Sequence, residues 1–406
     1  MMIHQPPAGS RDILPLEVSQ KRWIVDRLQA VFQRWGYQRI ITSTLEWLDT
    51  LTAGGAIQPD TVIEVGETAQ GRLGLRPELT ASIARAAVTR MAGDKHPLRL
   101  YYNANVFRRA AQSHHGRQVE FYQMGVELLY TGGSLADTEI LLLVVDCLQA
   151  LGLKDWHLLL GQAELTRSLL APFPPEQRGA VREAIAHLDR IGLEALDLTP
   201  ELRDRALLIL NLRGRPEDVL QRVSQLDLDA TGQASVENLK TLIERVRHSS
   251  PQELPLILDL SLLETIDYYT GIVFEVVASR QNYARVVGKG GRYDQLLGLY
   301  DPNGEGGAGI GFALNLEDLH AALLAAPQLP QTMPVNDWLV IPKTPAAEAM
   351  AFTYAQQLRQ SEHLVRVELD LGGRSPAQLR DYARASSIRR LAWVDGEGTP
   401  EIEVVG

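Results

Sequence analysis

The sequence predicts an α+β protein with a helical insertion and a small C-terminal α/β domain, on three observations. Two candidate strands, over 99–107 and 119–129, are joined only by a polar loop. From 164 to 247 the texture changes to Leu, Ala, Arg and Glu, punctuated by Pro172, Pro174, Pro175, Pro200 and Pro216, which reads as several short helices. Beyond Asn336 the tail alternates strand, helix, strand, helix and strand, the order of a small α/β domain.

Along the chain, Pro15 opens the first helix. Ile24, Leu28, Val31 and Trp35 recur at spacings of four, three and four, one face of a helix, and Gly36 stands where a C-terminal stop belongs. Residues 37–45, rich in Ile and Thr, read as a strand. Residues 136–151 carry almost no charge after their first turn, so that helix should be buried on most sides. After the insertion, about 164–247, strands return at 256–259, 272–278 and 309–314. Pro327, Pro330 and Pro334 mark residues 326–336 as a linker between a main domain, 1–325, and a C-terminal domain, 337–406. The tail reads as strand 338–341, helix 346–360, strand 365–369, helix 376–385 and strand 391–394, with a largely parallel sheet.

The composition, 45% hydrophobic and 22% charged, is that of an ordinary globular protein. Its net charge of −10 argues against gripping polyphosphate chains as the main task, unless a local basic face does so. A single cysteine, Cys147, excludes an internal disulfide and any multi-cysteine zinc site. Residues 1–11 have no apolar core, and the longest apolar run, 140–145, is too short to cross a bilayer, so a cytoplasmic, soluble protein is expected.

No cofactor or metal is expected. Gly304, Gly306 and Gly309 have the G-x-G-x-x-G spacing, but a polar turn precedes them and a strand follows, the reverse of a dinucleotide site. The run 288–291 lacks the spacing and the Ser or Thr of a P-loop, and His114–His115, as sequence neighbours, are poorly placed to chelate one ion. The strand from Val119 carries more. Its alternation puts Tyr122, Met124, Val126 and Leu128 on a core face, and Phe121, Gln123, Gly125 and Glu127 on the other. Glu78, Thr80, Tyr268 and Tyr269 could converge with Gln123 and Glu127. Carboxylates, an amide and aromatic rings suit a small cationic ligand with an amino group, such as an amino acid. The alternative is a solvated sheet face with structural ion pairs to Arg76, Arg108 or Arg117.

Together these segments resemble histidyl-tRNA synthetase, a class II aminoacyl-tRNA synthetase. The resemblance rests on the opening run 9–15, on Leu75-Arg76-Pro77-Glu78 with Thr80, and on Arg108, Arg117, Gln123 and Glu127 in the second class motif. Asp267-Tyr268-Tyr269, Gly290-Gly291-Arg292-Tyr293-Asp294 and Gly311-Phe312-Ala313 extend it. It implies an antiparallel sheet flanked by helices, a self-dimer through that domain, and a tail that is a shortened anticodon-binding domain. It also implies histidine-binding positions at Glu78, Thr80, Arg108, Arg117, Gln123, Glu127, Tyr268 and Tyr269.

The departures from that pattern bear on function. Active family members have an arginine at the position of Glu264, five before the second Tyr, and another at Asp318, which should clamp the ATP γ-phosphate. A carboxylate about 4 Å from an anionic oxygen, at an effective dielectric of about 20, swings the interaction by roughly 8 kcal/mol against binding. The glutamate that reads adenine is replaced by Ala110, and the first-motif proline by Ser43. Residues 330–406 hold eight Lys and Arg against ten Asp and Glu, with no basic run to grip tRNA. Lost ATP groups beside a retained amino-acid pocket resemble the regulatory subunits of ATP phosphoribosyltransferase. That likeness implies no catalytic residues, a short-form catalytic phosphoribosyltransferase as partner in a hetero-octamer, and L-histidine as feedback effector of the first step of histidine biosynthesis. The alternatives are an active histidyl-tRNA synthetase, or a synthetase-like module regulating another partner.

Overall fold

Helix α1 (Pro15–Arg34) starts on a proline, where no backbone N–H is needed, and buries Ile24, Leu28 and Val31. It stops before Gly36, whose φ of 81° suits glycine alone without strain. The computed structural model describes residues 4–55, 57–109, 118–262, 268–280, 283–397 and 400–405. In place of one strand over 37–45 there are two short ones, β1 (Gln38–Arg39) and β2 (Leu45–Trp47). Between them the backbone turns to buried Arg76, whose Nη1 donates to the Thr42 carbonyl at 2.8 Å and the Ser43 carbonyl at 3.1 Å.

The chain continues through α2 (Leu48–Thr52), β3 (Ile63–Thr68), β4 (Gly71–Leu75), α3 (Thr80–Arg90), β5 (Leu98–Phe107), β6 (Glu120–Leu129), α4 (Ser134–Leu151) and β7 (Trp156–Gln162). The insertion comprises α5 (Ala163–Leu170), α6 (Pro175–Ala186), α7 (Arg190–Ala195), α8 (Pro200–Leu210), β8 (Arg213–Gly214), α9 (Pro216–Val223) and α10 (Ala230–Ser249). Then follow β9 (Leu256–Asp259), β10 (Ile272–Arg280), β11 (Tyr283–Arg292), α11 (Leu296–Tyr300), β12 (Gly309–Asn315) and α12 (Leu316–Leu323).

These elements build a nine-stranded sheet in the order β1-β5-β6-β12-β11-β10-β7-β9-β8. Every pairing from β5 to β7 is antiparallel. On one face lie α1, α4 and the insertion. Met124, Val126 and Leu128 share a continuous core there with Leu28, Leu148, Leu165 and Ile209. Each fully buried aliphatic side chain of that core contributes roughly 1.5–3 kcal/mol. Helix α4 meets neighbours on most of its circumference, as its lack of charge predicts, and ends on Gly152 at φ 66°. The other face is smaller and is covered by α3 and α11.

The chain divides into two compact units, Met1–Pro330 and Gln331–Gly406. The second contains β13 (Trp338–Pro342), α13 (Glu348–Arg359), β14 (Val367–Leu369), α14 (Pro376–Ala385), β15 (Arg390–Val394) and β16 (Pro400–Val404). Strands β14, β13 and β15 are parallel, with α13 on one face and α14 on the other. Strand β16, antiparallel on the edge, is not legible in the sequence because a proline opens it and Glu401 and Glu403 interrupt it. Among the described residues no helix is long and apolar enough to cross a membrane.

Candidate functional site

The smaller face of the sheet has a floor of small residues. Register brings Gly125 of β6 opposite Tyr102 of β5 and Ala313 of β12, and Glu127 opposite Leu100 and Gly311. Glycine here is a packing requirement. A Cβ on Gly311 would lie 2.0 Å from Glu127 Oε2, and one on Gly125 would lie 2.2 Å from the Phe312 carbonyl oxygen. The missing side chains leave room for a carboxylate, a phenol and a tyrosine ring above the strands.

Glu127 lies at the bottom of this space, 1% exposed. Thr80 Oγ1 donates to its Oε1 at 2.8 Å, and the Tyr293 hydroxyl donates to its Oε2. Among the described residues no Lys, Arg or His pairs with it. Burial therefore pushes its carboxyl up to about 8; the hydrogen bonds from Tyr293 and Thr80 oppose that rise, and the nearby Glu78 charge adds to it. The site is poised to accept a donor group, preferably a cationic one.

Helix α3 delivers Thr80 as its first residue. Glu78 caps that helix: its Oε2 accepts the Thr80 N–H at 2.6 Å and its Oε1 the Ala81 N–H at 2.9 Å. Tyr268 and Tyr269 form an aromatic wall, with ring centres 5.0 Å apart and edge to face. The Tyr268 ring lies 5.7 Å from that of Tyr293. Burial and the nearby Glu127 carboxylate push the phenols of Tyr268, Tyr269 and Tyr293 upward, with Glu78 adding to the rise at Tyr268 and Tyr269, so all are neutral donors. Behind Tyr293, buried Arg292 donates to Asp137 Oδ1 through Nε at 3.0 Å and to the Gly133 carbonyl through Nη2 at 3.0 Å. That pair fixes the corner from which Tyr293 projects.

Gln123 shares the face of Glu127. It is 7% exposed, and its Oε1 has no hydrogen-bond partner among the described residues, an acceptor waiting for a donor. Arg108 stands exposed at the rim, with Nε donating to the Pro77 carbonyl at 2.9 Å and its guanidinium 5.2 Å from the Phe121 ring centre. Arg76 donates to the backbone carbonyls of Asn105, Thr42 and Ser43, not to carboxylates. Asp318, in the first turn of α12, is ion-paired with Arg285 of β11. Arg117, Ala110, Glu264 and the pair His114–His115 lie outside the described residues. Among the described residues no three His, Cys, Asp or Glu side chains could hold a metal.

Tyr293 and Tyr102 belong to the site and escaped the alternation argument. Tyr293 follows a Gly-Gly-Arg run whose glycines signal close approach of another group, while Tyr102 reads simply as a core residue. The run 304–309 is a loop leading into β12, as its context predicts; a Cβ on Gly309 would lie 2.5 Å from Tyr293 Cε2, so it closes over that ring.

Comparison with known proteins agrees with this fold. The histidyl-tRNA synthetase family model matches residues 9–319. The chain is 61% identical, over 407 residues and the full length of both, to a protein of Gloeothece citriformis named ATP phosphoribosyltransferase regulatory subunit. It is 60% identical to one of the same name from Nostoc punctiforme, over 99% of each chain. A Bacillus halodurans structure titled ATP phosphoribosyltransferase regulatory subunit/histidyl-tRNA synthetase superposes with a TM-score of 0.81 at 26% identity, covering 98% of this chain and 99% of that one. The histidyl-tRNA synthetase of Nostoc sp. PCC 7120 shares the fold, with a TM-score of 0.76 at 20% identity, covering 100% of this chain and 97% of that one. The chain thus belongs to the ATP phosphoribosyltransferase regulatory subunits, a family built on the histidyl-tRNA synthetase fold.

Proposed function

We propose that this chain is the non-catalytic, histidine-sensing subunit of an ATP phosphoribosyltransferase and acts at the first step of histidine biosynthesis. The observation that carries this reading is full-length identity of 61% to a relative named as a regulatory subunit. The buried acidic cleft supports the effector. Glu127, Thr80 and Gln123 receive the donor groups of L-histidine, Glu78 adds negative potential, and Tyr268 and Tyr269 enclose the ligand. Arg108 stands at the rim, and Arg117 joins the histidine-binding set by its place in the motif.

The partner is a short-form catalytic phosphoribosyltransferase, joined in a hetero-octamer in which this subunit self-associates through its synthetase-like part. Histidine regulates only by binding two states of that assembly unequally, with a coupling of about 1–3 kcal/mol between cleft and partner active site. Asp318, occupied by Arg285, and Glu264 stand against nucleotide activation. Mixing the chain with the short catalytic subunit should raise turnover, and histidine should suppress it. No co-elution and no change in rate would sink the proposal, as would ATP–pyrophosphate exchange by the chain alone.

A further inference from the structure

Tyr269 is held at two points, one on its ring and one on its backbone. Its ring lies against β11, where a Cβ on Gly291 would fall 2.7 Å from Cδ1 and Cε1. Its carbonyl accepts from both Nη1 and Nη2 of Arg167, each at 3.1 Å. Arg167 is one helical turn after Ala163, whose N–H donates to the Gly271 carbonyl at 2.8 Å. Helix α5 therefore grips the 269–271 segment twice, through its first residue and through Arg167 one turn on. Fixing a carbonyl fixes the peptide plane, and with the ring seated against Gly291 the residue is held on both its backbone and its side chain.

Helix α5 is itself seated on α10. Ser168 Oγ donates to Asp229 Oδ1 at 2.7 Å at the N-cap of α10, and Ser235 Oγ donates to Glu164 Oε2 at 3.3 Å. A Cβ on Gly232 would lie 2.4 Å from Ser168 Oγ, so the two helices meet without slack. Displacing α5 on α10 would move the guanidinium and thereby the wall of the cleft.

We propose that Arg167 is a positioning residue for the tyrosine wall, and that through it the insertion helices α5 and α10 form part of the ligand site. This rests on reading the cleft as an amino-acid site. A guanidinium gives two parallel donors to one carbonyl, whereas a lysine gives one from a similar reach. The role therefore predicts graded rescue.

The test is calorimetric titration of the full chain with L-histidine, for the unchanged protein, Arg167→Ala and Arg167→Lys, beside thermal melting and amide exchange in α10. Arg167→Ala should weaken binding by about tenfold, the scale of one charge-assisted hydrogen bond. Arg167→Lys should recover most of it, and melting should barely change because the side chain is exposed. Histidine should slow exchange in α10 of the unchanged protein and not of Arg167→Ala. Equal affinity of Arg167→Ala and the unchanged protein overturns the inference, as does equal weakening of both variants with a lowered melting temperature. Absence of histidine binding by the unchanged protein overturns the reading of the cleft, and the inference with it.

Discussion

The Tyr293 hydroxyl donates to Oε2 of Glu127, joining two residues 166 positions apart at the bottom of the cleft. With Thr80 Oγ1 on the other oxygen, the carboxylate has hydrogen bonds but no cation among the described residues. Burial without a counter-charge is costly for an ion, and a ligand that supplies the charge relieves that cost. This relationship motivates the first two predictions.

Glu127→Gln keeps the shape and one acceptor while removing the charge. Histidine affinity should fall at least a hundredfold, the scale of a buried charge-assisted contact, while melting near pH 8 is unchanged or higher. Unchanged calorimetric affinity would place the ligand elsewhere.

The carboxyl of Glu127 is pushed from an ordinary 4.5 up to about 8. Between those values the folded chain holds a proton that the unfolded chain has released, so this group makes stability fall as pH rises through the window. Glu127→Gln should flatten that part of the melting profile. A cationic ligand favours the ionised form, so histidine binding near neutral pH should release a proton. Titrations in buffers of different ionisation enthalpy read that release directly.

Gly125→Ala should be disruptive, since its Cβ would sit 2.2 Å from the Phe312 carbonyl and 2.4 Å from the Tyr102 hydroxyl. A loss of roughly 1–3 kcal/mol in denaturant unfolding is expected, with Tyr102 driven into the cleft. Gly66→Ala, where a Cβ meets nothing within 4 Å, should be nearly silent.

Arg292→Ala leaves Asp137 buried without its partner, and burial already raises that carboxyl. The expected cost is about 3–5 kcal/mol. Pairing Arg292→Met with Asp137→Leu should restore much of it, since the desolvation of both charges is then removed. Chemical denaturation of the three variants checks the order.

Asp318→Arg supplies the charge that the synthetase motif has at this position, yet it sets two guanidinium groups against each other, because Arg285 already pairs with Asp318. No ATP–pyrophosphate exchange is expected, and stability should drop by about 1 kcal/mol for this half-exposed pair. Exchange in the single variant would contradict that.

Much of the molecule is readable from its residues. Periodicity places α1 and the core face of β6, and the lack of charge over 136–151 marks α4 as buried, because helix and strand patterns are local properties of the chain. Alternation also sets Gln123, Gly125 and Glu127 on one face, and the motif likeness points to the family. Other elements are not local. β11, with glycines at 288, 290 and 291, lacks the apolar alternation of a strand; it exists because its neighbours supply the ladder and need the close approach.

The site divides the same way. The sequence by itself set Gln123, Gly125 and Glu127 on one strand face, and its likeness to the synthetase motifs pointed to Glu78, Thr80, Tyr268 and Tyr269 and to acids at positions 264 and 318. Only the tertiary structure decided their states. Glu78 became a helix cap, Asp318 was matched by Arg285, and Glu127 met Tyr293 and Thr80 but, among the described residues, no cation. A carboxyl's proton affinity depends on the dielectric and charges within a few ångströms, and those come from segments far apart in the chain.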